Sequence, residues 1–427
     1  MPTTSHWLAA FGIWTCMVFA GFCSPAVVAE HEPNIELQNG TWFNGTNFES
    51  GTRYIVGDSL VSTKPDSISE RIDLEGGYVI PPFSDAHTHR PATTDRILSD
   101  SQFFLDAGIF YIMNHGNISR YSESFRSALA SAGTVDAVFS NGIVSSPQSH
   151  SVELWQRLHA RGAFPDIEEH ELDGEAYFVI ETAADLLEKW PQIEATRPDF
   201  VKIMLQFSEE YEQRRIDPHY FGLSGVDPSL VDDIVDRAHA VGLRVAAHIE
   251  TAEDFRLAVA AGVDIIAHLP GYDIGINDDV NRYRLIEDDA VAAAENDVVV
   301  LTTTLLSEDR SEGHEAKYSR MMQNHRENLR LLSQAGVRLG IGSDQFSKHA
   351  VDELMHLDTL GLYDNATLLR MICVVTPKAI FPDRRIGQLV DGAEASFLVL
   401  ENNPLDDIAA VREIRLRVKS GAILGSE

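Results

Sequence analysis

Through the middle of the chain, short apolar runs alternate with segments whose apolar residues recur every three or four positions, the pattern of β-strands followed by amphipathic helices. One cycle is plain between 229 and 248. Leu230, Ile234, Val235 and Ala238 fall on one helical face, and 243–248 then reads as a strand. The next cycle opens with Thr251 and Asp254 spaced as a capping box. It carries Phe255, Ala258 and Val259 as an apolar stripe, stops at Gly262 and continues into a strand at 263–268. Similar strands are predicted at 78–89, 109–114, 135–140, 200–205, 298–303 and 337–344, making eight in all. Repeated βα units of this number predict an α/β fold, a (β/α)8 TIM-type barrel with its working groups at the C-terminal strand ends. An excursion over 145–180 is expected to cap that mouth.

The two ends of the chain have a different texture. Tyr54-Ile55-Val56, Tyr78-Val79-Ile80, Phe397 to Leu400, Ile414 to Val418 and Ala422 to Leu424 are short apolar stretches set among Gly, Asn, Asp and Ser. They predict a small β-sandwich domain built from 30–83 and 385–427, flanking a barrel over 84–384.

Residues 7–29 form an apolar run ending in Val27-Val28-Ala29, which resembles a signal-peptidase site. Residues 1–29 are therefore expected to be a signal peptide and the mature protein to be secreted, periplasmic or extracellular, with no membrane attachment after cleavage. Cys16 and Cys23 lie inside this run. Cleavage would leave Cys373 alone, with no intramolecular disulfide, and Cys373 is expected to be a buried helix residue.

Composition narrows the partners. With 44% hydrophobic and 23% charged residues the chain is ordinary for a globular protein. Its net charge of -31 excludes a phosphate-binding basic face, hence nucleic acid, and disfavours an anionic membrane surface. A small-molecule substrate is the expected partner, and a homo-oligomer is compatible with the sequence.

The chemistry-bearing residues collect at the predicted strand ends. His87 and His89 stand two apart in His-Thr-His, so both imidazoles share one face of the first barrel strand; Asp85 shares that face and is positioned to orient a ligand. His248 and His268 end the fifth and sixth strands after apolar runs, and Asp344 ends the eighth in Gly-Ser-Asp. Four imidazoles and a carboxylate converging on one barrel mouth predict a metal site. Lys202 lies inside the apolar fourth strand, where desolvation favours the neutral amine. Such an amine can take up carbon dioxide, and the resulting carbamate can bridge two metals. His115, at the end of the second strand, and Tyr272, in Leu-Pro-Gly-Tyr-Asp, are candidate substrate contacts. His150, His159 and His170 fall in the excursion and are expected to be exposed.

This set, together with Gly387-Gln388-Leu389, Gly392 and Asn403-Pro404-Leu405 near the end of the chain, resembles the amidohydrolase superfamily, in its dipeptidase-like and imidazolonepropionase-like branches, over nearly the whole chain. The resemblance implies two divalent metal ions, zinc by preference, with His87, His89 and Asp344 on one, His248 and His268 on the other, and carboxylated Lys202 between them. It implies hydrolysis of amide, peptide or cyclic amide C–N bonds by a metal-bridging hydroxide, with Asp344 passing the proton to the leaving nitrogen. A mononuclear deaminase or cyclic-amidine hydrolase, a lactone or phosphotriester hydrolase on the same metals, and a non-catalytic metal-binding protein remain alternatives. The second strand departs from the threonine-rich form of many relatives, so the substrate is left open.

Overall fold

The computed structural model describes residues 34–311 and 313–425; the expected signal peptide lies outside them. Strands from both ends of the chain are joined in one nine-stranded sheet around a small core of their own, so the expected β-sandwich domain is seen in part. Tyr78–Ile80 is the junction: it runs parallel to Ile35–Phe43 on one side and antiparallel to Phe397–Leu400 on the other. Phe397–Leu400 is buried on both faces, and its period-two alternation divides the molecule's interior. Phe397 and Val399 enter a small core with Leu37, Trp42 and Val418, whereas Leu398 and Leu400 face the large core with Phe83 and Ile109.

The remainder is α/β. A three-stranded parallel sheet comprises Phe83–Thr88, Ile109–Asn114 and Asp136–Phe139. A seven-stranded parallel sheet runs in the order Tyr177–Val179, Ile143–Ser145, Phe200–Met204, Arg244–His248, Ile265–Ile266, Val299–Leu301 and Arg338–Gly340. Backbone bonds join the two sheets at both sides: Asp199 N–H donates to Phe139 O, Ala86 N–H to Ile341 O and Asp344 N–H to His87 O. Phe83–Thr88, Ile109–Asn114 and Phe200–Met204 are buried on both faces, as strands covered by helices must be.

The helices follow the sequence periodicity. Val231–Ala240 buries Ile234, Val235 and Ala238. Ala252–Ala260 begins with the Thr251–Asp254 capping box and is followed by Gly262 at φ 82°, a left-handed conformation that costs glycine little. Cys373 is a free, buried thiol in the π-helical turn Met371–Val375. No described helix is long and apolar enough to cross a membrane.

Two expectations change. The excursion over 145–180 lines the cavity as expected, but its structure adds to the strand count: it is bounded by the paired strands Ile143–Ser145 and Tyr177–Val179 and carries the helix His150–Ala160. The late strands are also shorter than the apolar runs predict, with 263–268 reduced to Ile265–Ile266 and 337–344 to Arg338–Gly340. Beyond these points the backbone leaves the ladder to place side chains at the sheet ends.

Candidate metal centre

The eight residues singled out from the sequence, His87, His89, His115, Lys202, His248, His268, Tyr272 and Asp344, all line one cavity of about 370 Å³. The last strand delivers Asp344 through a residue at φ 47°, a left-handed conformation that Asp tolerates better than most, while its N–H donates to His87 O at 2.7 Å. Asp85 binds this corner together: its Oδ1 accepts from His87 N at 3.1 Å and Ser343 N at 3.0 Å, and its Oδ2 from Ser343 Oγ at 2.7 Å and Ala350 N at 3.0 Å. It orients backbone, not imidazole. Burial nonetheless pushes its carboxyl up to about 6.

Outer hydrogen bonds select which ring nitrogen of His87, His268 and His248 is left free. A carbonyl can only accept, so His87 Nδ1 donates to Ala267 O at 3.0 Å and its Nε2 is left toward Asp344 Oδ1, 3.5 Å away. His268 Nδ1 meets Thr303 Oγ1 at 3.0 Å, and its Nε2 lies 3.6 Å from Asp344 Oδ2. His89 Nε2 is 2.9 Å from Asp344 Oδ1. His248 turns Nε2 to Glu250 Oε1 at 3.2 Å, which leaves Nδ1 without a bonded partner among the described residues. Ligand-type atoms of His87, His268 and Asp344 all lie within 4.8 Å of one another, a spacing that suits a shared cation.

Protonation matches that use. Burial holds the imidazoles of His87 and His268 well below their ordinary range. Burial pushes the Asp344 carboxyl up, but His87 and the bond from His89 outweigh it and hold the group well below the usual carboxylate range. The Lys202 amine is driven by burial down to about 7, partly opposed by Asp344. His87 and His268 thus offer neutral nitrogens and Asp344 a carboxylate, the forms in which these side chains bind metal.

His115 serves from behind. It is fully buried, its ring stacks on His87 at 4.0 Å, its Nε2 donates to Ala86 O at 2.8 Å and its Nδ1 accepts from Lys202 Nζ at 3.0 Å. Both nitrogens being engaged, it positions Lys202. Tyr272 donates to Glu250 Oε1 at 2.7 Å and packs on His268 with ring centroids 4.8 Å apart.

Two residues escaped the sequence reading. Glu250 stands one period-two step beyond His248, a spacing that could have revealed it. His150, expected to be exposed, lines the cavity and stacks on His248 at 6.2 Å, with burial pushing its imidazole down to about 4. It is carried there by the helix His150–Ala160, whose first turn is capped by Ser149. His170 is exposed as expected, and His159 is half-buried with Nε2 donating to Ile167 O.

Comparison with known proteins agrees with this construction. The profile of the amidohydrolase family matches residues 78–424. Among curated proteins, none matches the sequence significantly. Solved structures share the fold at low identity. A Xaa-Pro dipeptidase with bound methionine is 16% identical, with TM-score 0.71 over 91% of this chain and 99% of its own. A prolidase complexed with N-methylphosphonate-L-proline is 19% identical, with TM-score 0.69 over 92% and 99%. The A. niger ochratoxinase is 15% identical, with TM-score 0.71 over 92% of this chain and 96% of its own.

Proposed function

We propose that this chain, which belongs to the amidohydrolase family and is a hydrolase acting on C–N bonds, works through a pair of divalent metals, zinc by preference, at the mouth of a (β/α)8 barrel. The two parallel sheets would form that barrel, consistent with the backbone bonds that join them at both sides. The observation that carries the reading is the convergence of His87, His268 and Asp344 within 4.8 Å, each imidazole having its other nitrogen engaged.

His87, His89 and Asp344 would hold one ion and His248 and His268 the other, with Lys202, as its carbamate, between them. Bound ions of this kind supply a water of lowered pKa, from about 15.7 towards 7, and a Lewis acid for the substrate carbonyl. The chain's own groups do the rest. Asp344, touching His87, His89 and His268, is placed to take a proton from the attacking water and return it to the departing nitrogen. His115 holds Lys202 in a dry site, and Glu250 fixes both the His248 ring and the Tyr272 hydroxyl. A mononuclear enzyme is the second reading; in it Lys202 would remain an amine bonded to His115. The apolar run over 7–29 supports export of the protein.

The test is metal content with turnover. Two metals per chain, amide hydrolysis abolished by chelation, and loss of activity in Lys202→Ala with partial rescue by short carboxylic acids are expected. One metal per chain with Lys202 unmodified would establish the mononuclear reading instead, and metal-loaded protein inert toward every amide would overturn both.

A further inference from the structure

A second chamber of about 90 Å³ adjoins the cavity. It shares His89, Leu154, Trp155 and Phe346 with the main cavity and is otherwise walled chiefly by Leu158 and Phe164. Apart from His89, Thr93 and the indole N–H of Trp155, which has no partner among the described residues, its side chains are apolar. Such a space favours an apolar group over solvent.

The main cavity wall carries three cations besides Lys202: Arg157, Arg310 and Lys317. Arg157 is paired with Glu153 at 3.1 Å and Lys317 with Asp273 at 2.8 Å. Asp309, the neighbour of Arg310 on the helix Leu306–Ser311, accepts instead from Gln345 Nε2 at 2.7 Å. Among the described residues no side chain pairs with the Arg310 guanidinium, which stands exposed on the wall. A fork of donors without a carboxylate, in a cavity whose other cations are satisfied, fits an anionic substrate end.

We propose that the substrates are N-acyl amino acids with an apolar acyl chain, the chain entering the chamber beside His89 and the free carboxylate meeting Arg310. The inference rests on the amide-hydrolase reading of the same site. Water adds across the amide, the C–N bond breaks, and a fatty or aryl carboxylate leaves with a free amino acid whose nitrogen takes up the proton.

The test uses the full chain and three ligands, N-hexanoylglycine, N-hexanoylglycinamide and N-acetylglycine. Hydrolysis is followed on the metal-loaded protein, and binding by calorimetry on metal-stripped protein. N-Hexanoylglycine is expected to exceed each of the other two by about tenfold or more in kcat/KM and in affinity. Arg310→Met should bring the carboxylate-to-amide ratio close to one, Arg310→Lys should keep part of it, and Leu158→Trp should remove the chain-length preference, with thermal unfolding confirming that each variant is folded. Hydrolysis without either preference overturns the inference and leaves the hydrolase reading standing. Preferential binding with no hydrolysis of any amide sinks the hydrolase reading and upholds the recognition of an apolar carboxylate.

Discussion

Replacing Asp85 by Asn changes one atom of the side chain that ties the two ligand-bearing segments together. The carboxylate accepts four bonds, two on each oxygen. An amide nitrogen at the Oδ1 position would face the N–H groups of both His87 and Ser343. At the Oδ2 position it would face Ala350 N–H, while the Ser343 hydroxyl could rotate to accept, having His87 O 3.4 Å away. The milder placement still leaves one buried N–H without an acceptor and weakens the remaining bonds by removing charge. Together these cost about 2–4 kcal/mol, roughly 2–5 °C in the melting temperature of a chain this size. Because His87 and Asp344 hang from the bonded backbone, metal affinity should fall with stability. The assay is urea unfolding at pH 7.5, where the carboxyl, pushed up to about 6, is ionised in the wild type, followed by titration with a competing chromophoric chelator. An Asp85→Asn protein with unaltered midpoint and unaltered metal affinity would refute the role assigned to this carboxylate.

Gly342→Ala should act on the same corner by crowding. An added Cβ would fall 2.5 Å from His87 Cβ and 2.9 Å from His87 N, so a loss of about 1–3 kcal/mol is expected in thermal unfolding, with weakened metal binding; a fully tolerated alanine contradicts the packing described. Glu353 offers a pH test away from the metal centre. It is fully buried, accepts from Thr304 N, Thr304 Oγ1 and Leu305 N, and burial raises its carboxyl from 4.5 to about 7. A carboxyl raised on folding contributes stability that is complete below the unfolded value and lost as pH rises through the folded one. The stability of wild type relative to Glu353→Gln should therefore fall between pH 5 and 8, by up to about 3 kcal/mol, in denaturation series at each pH; a flat difference would be the contrary result.

Much of the site was legible because its residues violate their surroundings. His248 and His268 follow apolar runs, Lys202 interrupts one, and His87 and His89 share a strand face; a polar side chain where hydrocarbon is expected needs a reason, and the βα rhythm puts all of them at one end of the sheets. Asp85 was visible as a partner, yet its target was backbone rather than imidazole, since the register between the first strand and the Ser343 loop is a long-range fact. His150 and Arg310 could not be placed, because each reaches the cavity on a helix whose direction no local pattern records. The late strands shortened for a related reason. Apolar sequence continues past Ile266 and Gly340, but the chain there leaves the ladder to serve the cavity, so hydrophobicity and strand pairing part company. At the chain ends, short strands were readable individually, whereas their union in one sheet through Tyr78–Ile80 depended on pairing across more than 300 residues.

Anomalous diffraction from crystals of the zinc-loaded protein tests the metal-centre assignment most directly. Two peaks are predicted in the cavity, one touching His87, His89 and Asp344 and the other His248 and His268, with continuous density from Lys202 reaching between them. Peaks confined to surface carboxylates, with no metal beside His87, His268 and Asp344, would contradict it.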